Sequence, residues 1–226
     1  MIETELRRER DDAFVVRTDE ADIQAVLPSF AYGQEAEGEF IRRFPRSELN
    51  PVIFERFSAS ASAMLKHFVR REAPPWEKSL EHLHQLLAEA NVEWMLGGSA
   101  ALAIRGVQLT PRDIDFTVAD QHATVEALGH LLVEPPVKAN GTWVAEWFGR
   151  AWDGTRIEWA AETRPDLDDH DWTSDIGPDA ERRAERVKWH GLWFRVPPLD
   201  LQAAVSRERG LQDRVAAINL IRASRA

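Results

Sequence analysis

Two aspartates, Asp113 and Asp115, stand one residue apart in the otherwise apolar run "DIDFTV". Side chains alternate across a strand, so both carboxylates would project from one face while Ile114 and Phe116 project from the other. Neighbouring carboxylates repel each other and resist burial. A divalent cation held between them removes both costs. Oxygen donors with neither thiol nor imidazole beside them favour Mg²⁺ or Mn²⁺, and Mg²⁺ bound by carboxylates commonly binds substrate phosphates as well. Upstream, "MLGGSAALAIRG" places Gly97, Gly98 and Ser99 where an apolar run stops. Glycines at a strand-to-helix turn let backbone N–H groups approach an anion closely. Ser99 is placed to donate its hydroxyl and to N-cap the helix that follows. Each piece also has a plainer reading, as a tight turn and as a strand end with solvated acids.

The elements that must position these residues are legible from residue 77 onward. Leu80, Leu83, Leu86, Leu87 and Ala90 recur at helical spacing. "VEWML" is a short strand, "SAALAIRG" a short helix closed by Gly106, "DIDFTV" the next strand and "HATVEALGHLL" a further helix. A hairpin is expected about Asp153-Gly154 and a second about His190-Gly191, followed by two helices broken near Gly210. This order predicts a mixed sheet covered by helices, an α/β (α+β) architecture. Residues 1–75 are less readable. A helix is expected from about Val52 to Arg70, and the whole stretch is expected to be a helical extension. Pro74 and Pro75 mark the boundary to a second unit, residues 76–226.

Taken together, "LGGSAALAIRG" followed by "TPRDIDF" resembles the nucleotidyltransferase superfamily related to DNA polymerase β. It is nearest to the small bacterial branch of antibiotic nucleotidyltransferases and abortive-infection type toxins. The resemblance covers Val92 to Val118 and extends more loosely to the C-terminus; residues 1–75 lie outside it. It implies a mixed-sheet nucleotidyltransferase core flanked by helices. It also implies transfer of a nucleoside monophosphate from ATP, GTP, CTP or UTP to an acceptor hydroxyl, with pyrophosphate leaving. By the same resemblance, Gly97, Gly98 and Ser99 would hold the triphosphate, and Asp113 and Asp115 the metal ions. A third carboxylate on a later strand would complete the metal site and help deprotonate the acceptor. Glu158, flanked by apolar Ile157 and Trp159, is the candidate, with Glu162 and Asp153 as fallbacks. The family more often has aspartate there, one methylene shorter.

Arg112, between the turn and the acids, is read either as a phosphate ligand or as a partner that steadies Asp113. The family's arginine before the threonine is missing, since Gln108 and Leu109 precede Thr110. Near the C-terminus Ser206 stands about where a lysine is often found, and Gln212-Asp213 replaces a basic-acid pair. Arg207, Arg209 and Arg214 read as compensation or as solvated faces of amphipathic helices. The acceptor is open: a small antibiotic-like molecule, a tRNA or a protein side chain. A toxin, and a non-catalytic nucleotide-binding or interaction module, remain alternatives on the same fold.

Composition narrows the partners. The chain has 226 residues, 44 % of them hydrophobic, enough for a sizeable core. It has no cysteine, which excludes disulfides, zinc–thiolate sites and thiol nucleophiles. A net charge of −10 opposes non-specific duplex binding. The start, "MIETELRRERDDAF", lacks an apolar signal region, and no run approaches a membrane span, so a cytoplasmic protein with no membrane partner is expected. The N-terminal segment is read as one wall of the acceptor cleft, a homodimer contact or a brace.

Other candidate groups carry less. His82 and His84, two apart on a helix, point in different directions. "RPDLDDHD" lacks an EF-hand pattern and reads as a solvated acidic loop that would attract a cationic acceptor only if it faced the cleft. No G-x-S-x-G or Walker A sequence occurs. Trp143, Trp147, Trp152 and Trp159 suit core packing or stacking on a ring.

Overall fold

The computed structural model describes residues 1–139, 144–164 and 175–225. Its centre is a five-stranded mixed sheet built from β5 (Trp94–Leu96), β6 (Asp113–Val118), β7 (Leu132–Lys138), β8 (Ala145–Trp152) and β9 (Arg156–Thr163). The strand order is β5-β6-β9-β8-β7, with β6 and β9 parallel and the other neighbours antiparallel. Ile114, Phe116, Ile157 and Trp159 fill the core face of its middle strands. Both expected hairpins are present: β8–β9 turns through Asp153-Gly154, and β10 (Glu185–Trp189) pairs with β11 (Leu192–Val196) through His190-Gly191. The expected helices are also present: α3 (Trp76–Glu89), α4 (Gly98–Ala103), α5 (Gln121–Leu128), α7 (Leu199–Glu208) and α8 (Gln212–Arg225), with the last two parted at Gly210. A short α6 (Pro178–Arg182) precedes β10.

The N-terminal segment departs from expectation. Residues 2–44 are built mainly as a four-stranded antiparallel sheet, where a helical extension was expected. Its strands are β1 (Ile2–Arg8), β2 (Asp12–Thr18), β3 (Gly33–Ala36) and β4 (Glu39–Phe44), ordered β1-β2-β4-β3. The physical reason lies in cross-strand pairing. Ile2, Thr4 and Leu6 alternate with Glu3, Glu5 and Arg7, and the charged face is satisfied by Arg7–Glu39, Arg17–Glu5 and Arg17–Glu39 ion pairs between strands. Between β2 and β3 lie α1 (Ala21–Val26) and a 3₁₀ turn, Leu27–Phe30. The helix expected near Val52–Arg70 is α2, Asn50–Phe68. Its stripe of Ile53, Phe57, Ala61, Met64 and Leu65 is buried at helical spacing.

α2 packs against both β1 and β7. One hydrophobic cluster therefore runs from Phe14, Phe44 and Phe57 through Leu83 and Leu96 to Phe116 and Trp159, across residue 75. β7 itself was not anticipated, because Pro135 and Pro136 interrupt the strand signal. It lies at a sheet edge, with register shifts beside the prolines, where their missing N–H groups cost no ladder bond. Among the described residues, no helix is long and apolar enough to cross a membrane.

Candidate active site

The parallel pairing of β6 with β9 builds the site. Asp113 lies opposite Arg156 and Asp115 opposite Glu158, so three acids share one face at the centre of the sheet. Ligand atoms of Asp113, Asp115 and Glu158 all lie within 4.8 Å of one another, close enough to hold one metal ion. Their donors are oxygens alone, the set that suits Mg²⁺ or Mn²⁺. Burial, with Asp113 and Glu158 next to it, pushes the Asp115 carboxyl well above the usual carboxylate range. This is the electrostatic cost that a bound cation would relieve. Glu158 goes the other way: burial opposes its charge, but Arg156 and Arg150 outweigh it and hold the carboxyl below its ordinary value.

The glycine turn lies directly on this cluster. Gly97 N donates to the Asp115 carbonyl at 2.7 Å, fixing the turn to β6. Gly98 has φ of +55°, and a Cβ there would overlap the Asp115 carboxylate, so only glycine fits. Gln202 of α7 donates to the Gly98 carbonyl at 3.1 Å. Ser99 is not the helix cap: α4 begins at Gly98 with Gly97 as N-cap, which leaves Ser99 inside the first turn, buried and lining the cleft. The cap position is therefore two residues earlier than expected.

Two arginines that sequence reasoning missed hold the acids. Arg150, the cross-strand partner of Glu158, donates from Nε at 2.7 Å and approaches from Nη2 at 2.6 Å, both at Glu158 Oε1. Arg156 Nη2 bonds Asp113 Oδ2 and lies 3.3 Å from Glu158 Oε2. The Arg156 guanidinium sits over the rings of Phe30 and Phe68, at 4.4 and 4.6 Å. The signal was present in the sequence. An arginine inside "AEWFGRAW" or "TRIEWAA" is as conspicuous on an apolar strand as the glutamate that was noticed.

These groups open into a cleft of about 1160 Å³. Arg70, Arg112, Arg209 and Arg214 also line it, as do Ser206 and Asp175. Arg112 donates to the Phe68 carbonyl at 3.1 Å and rides over the Phe68 ring at 4.4 Å, so both its hydrogen bonding and its stacking fix it to the end of α2. Burial lowers the Arg112 and Arg214 guanidinium pKa values from the ordinary arginine range. Arg209 and Arg214 therefore belong to the cleft and not only to solvated helix faces. Burial raises the Asp175 carboxyl, although Arg209, Arg214 and Gln202 act against it.

The remaining candidates lie elsewhere. Asp153 bonds His82 Nδ1 at 2.8 Å through its carboxylate, and Glu162 is exposed. His84 faces the Trp193 carbonyl at 3.2 Å. Trp159 is buried with its Nε1 donating to Gln121 at 2.8 Å, Trp152 stacks on His67, and Trp147 lies under Lys138. Trp143 and the acidic run from Pro165 to Asp171 lie outside the described residues.

No protein-family profile matches this chain, and no curated protein sequence matches it. Solved structures do. A "putative nucleotidyltransferase" (TM1012) from Thermotoga maritima is similar with a TM-score of 0.50 and 19 % identity, over 66 % of this chain and 93 % of its own. The antibiotic-resistance factor ANT(2'')-Ia is similar with a TM-score of 0.43 and 16 % identity, over 66 % of this chain and 83 % of its own. The first likeness defines the class of fold: the chain has a nucleotidyltransferase-like α/β fold, as the glycine turn and paired aspartates imply.

Proposed function

We propose that this protein is a metal-dependent nucleotidyltransferase that moves a nucleoside monophosphate from a nucleoside triphosphate to an acceptor hydroxyl. The observation that carries the reading is the convergence of Asp113, Asp115 and Glu158 beneath the Gly97–Gly98 turn, in a cleft also lined by arginines. The non-catalytic reading turned on the third acid, and its place beside the two aspartates supports the enzyme.

Asp113, Asp115 and Glu158 would hold Mg²⁺ or Mn²⁺, which when bound supplies charge neutralisation for in-line displacement at phosphorus. The chain's own groups do the rest. Backbone N–H groups at Gly98 and Ser99, with the Ser99 hydroxyl, bind triphosphate oxygens. Arg70, Arg112, Arg209 and Arg214 supply the positive charge that such a tail needs, in a protein whose net charge is −10. Glu158, held ionised by its two arginines, acts as an anionic ligand and a weak base, and the acceptor proton leaves through it only as the oxygen becomes acidic in the transition state. The cleft of about 1160 Å³ has room for a nucleotide and a small acceptor together.

The test is incubation with each nucleoside triphosphate labelled at the α-phosphate, Mg²⁺ and pools of small-molecule, tRNA and protein acceptors, with Asp115→Asn as control. Label should pass to one acceptor class in the wild type and not in the variant. Transfer that survives Asp115→Asn overturns the site assignment.

A further inference from the structure

The arginine that grips the third acid is itself held from behind. Arg150 Nη1 donates to Glu134 Oε2 at 2.7 Å, while its Nε and Nη2 engage Glu158 Oε1. Glu134, on the edge strand β7, is 2 % exposed and Arg150 is 3 % exposed. Two groups from the N-terminal sheet region close the far end. Arg42 of β4 donates to Glu134 Oε2 at 2.5 Å, and the buried Tyr32 hydroxyl donates to Glu134 Oε1 at 3.1 Å. These partners are 92 and 102 residues away in sequence. Burying so much charge is expensive unless every member is paired, and such a network is weak evidence for stability alone.

We infer that Glu134, Arg42 and Tyr32 are positioning residues: through Arg150 they set the orientation and effective charge of Glu158, and so tune the cation affinity of the acid cluster from the N-terminal sheet. This inference rests on the metal reading of Asp113, Asp115 and Glu158. Arg150 shares its charge between two carboxylates. A stronger hold by Glu134 loosens the grip on Glu158 and frees that carboxylate for a cation; a weaker hold does the reverse. Arg42 competes with Arg150 for the same oxygen of Glu134. Removing Glu134's charge and removing Arg42's charge therefore shift the site in opposite directions, whereas a purely structural network would weaken it in both cases.

The experiment measures Mn²⁺ binding to nucleotide-free full-length protein by electron paramagnetic resonance, with circular dichroism and thermal melting to verify folding. Glu134→Gln should weaken Mn²⁺ binding about tenfold, the order expected for losing one buried unit charge near the site at intermediate dielectric. Arg42→Met should tighten it about threefold, and Arg42→Lys, which keeps the charge, should leave it near the wild-type value. If Glu134→Gln does not fold, the Arg42→Met and Arg42→Lys comparison carries the test. Shifts in the same direction for Glu134→Gln and Arg42→Met, no shift in either, or equal effects of Met and Lys at position 42 overturn the relay. Wild-type protein that binds no Mn²⁺, or binding that Asp115→Asn leaves intact, instead overturns the metal reading, and the relay with it.

Discussion

Asp115 is the residue on which chemistry and stability oppose each other. Its half-buried carboxyl lies beside Asp113 and Glu158, and desolvation together with their charge pushes it well above its ordinary value of 3.8. The folded, metal-free protein therefore keeps a proton that the unfolded chain has released, and stability falls as pH rises through the window between the ordinary and the raised value. Asp115→Asn removes that loss. In the presence of a chelator, Asp115→Asn should melt a few degrees above wild type, since ~1 kcal/mol moves a domain of this size by about 2–4 °C. The gap should widen as pH rises through the window. With Mn²⁺ added the order should reverse, because only the wild type gains from binding. A variant that melts below wild type in chelator at every pH contradicts the electrostatic account. At this scale the sequence was legible where chemistry breaks a pattern. Asp113, Asp115 and Glu158 were found as acids on apolar strands. Arg150 and Arg156 break the same pattern and were passed over, because a cation on a strand is easily read as a solvated side chain until its partner is known.

The elements were legible where local signals agree. The glycine turn, the β8–β9 hairpin and the C-terminal helices follow from spacing and turn chemistry. The N-terminal sheet does not, because its strands are satisfied by charge pairs such as Arg17–Glu5 and Arg7–Glu39 that only pairing reveals. The turn also gives an element-scale prediction. Gly98 and Gly106 both have positive φ, +55° and +90°, so alanine at either costs backbone strain of about 1–3 kcal/mol. At Gly106 a Cβ meets nothing within 4 Å, whereas at Gly98 it overlaps the Asp115 carboxylate. Gly106→Ala should lose a few degrees of melting temperature and keep its Mn²⁺ affinity. Gly98→Ala should lose both, read by melting and Mn²⁺ titration. Equal Mn²⁺ binding by the two variants would show that the turn does not constrain the acid.

At the scale of the molecule, the two sheets share one core. Phe14, Phe44 and Phe57 belong to the same hydrophobic cluster as Leu83, Phe116 and Trp159. This continuity brings Phe30, Tyr32, Arg42 and Phe68 to the back of the acid cluster, where no spacing rule in residues 1–75 could have placed them. Net charge opposes non-specific duplex binding but leaves room for a locally basic groove. The overall −10 describes the whole chain, while Arg70, Arg112, Arg209 and Arg214 converge on one cleft from the turn after α2, the loop before β6, the turn after α7 and α8 itself. The central claim is that this cleft seats a metal ion and a triphosphate side by side. A crystal structure of the protein with Mn²⁺ and a non-hydrolysable nucleoside triphosphate tests it most directly. The predicted result is an anomalous manganese peak bonded to Asp113, Asp115 and Glu158, with the phosphates against the Gly97–Gly98 turn. Manganese elsewhere, or a nucleotide bound away from that turn with no ion on the three acids, would contradict the account.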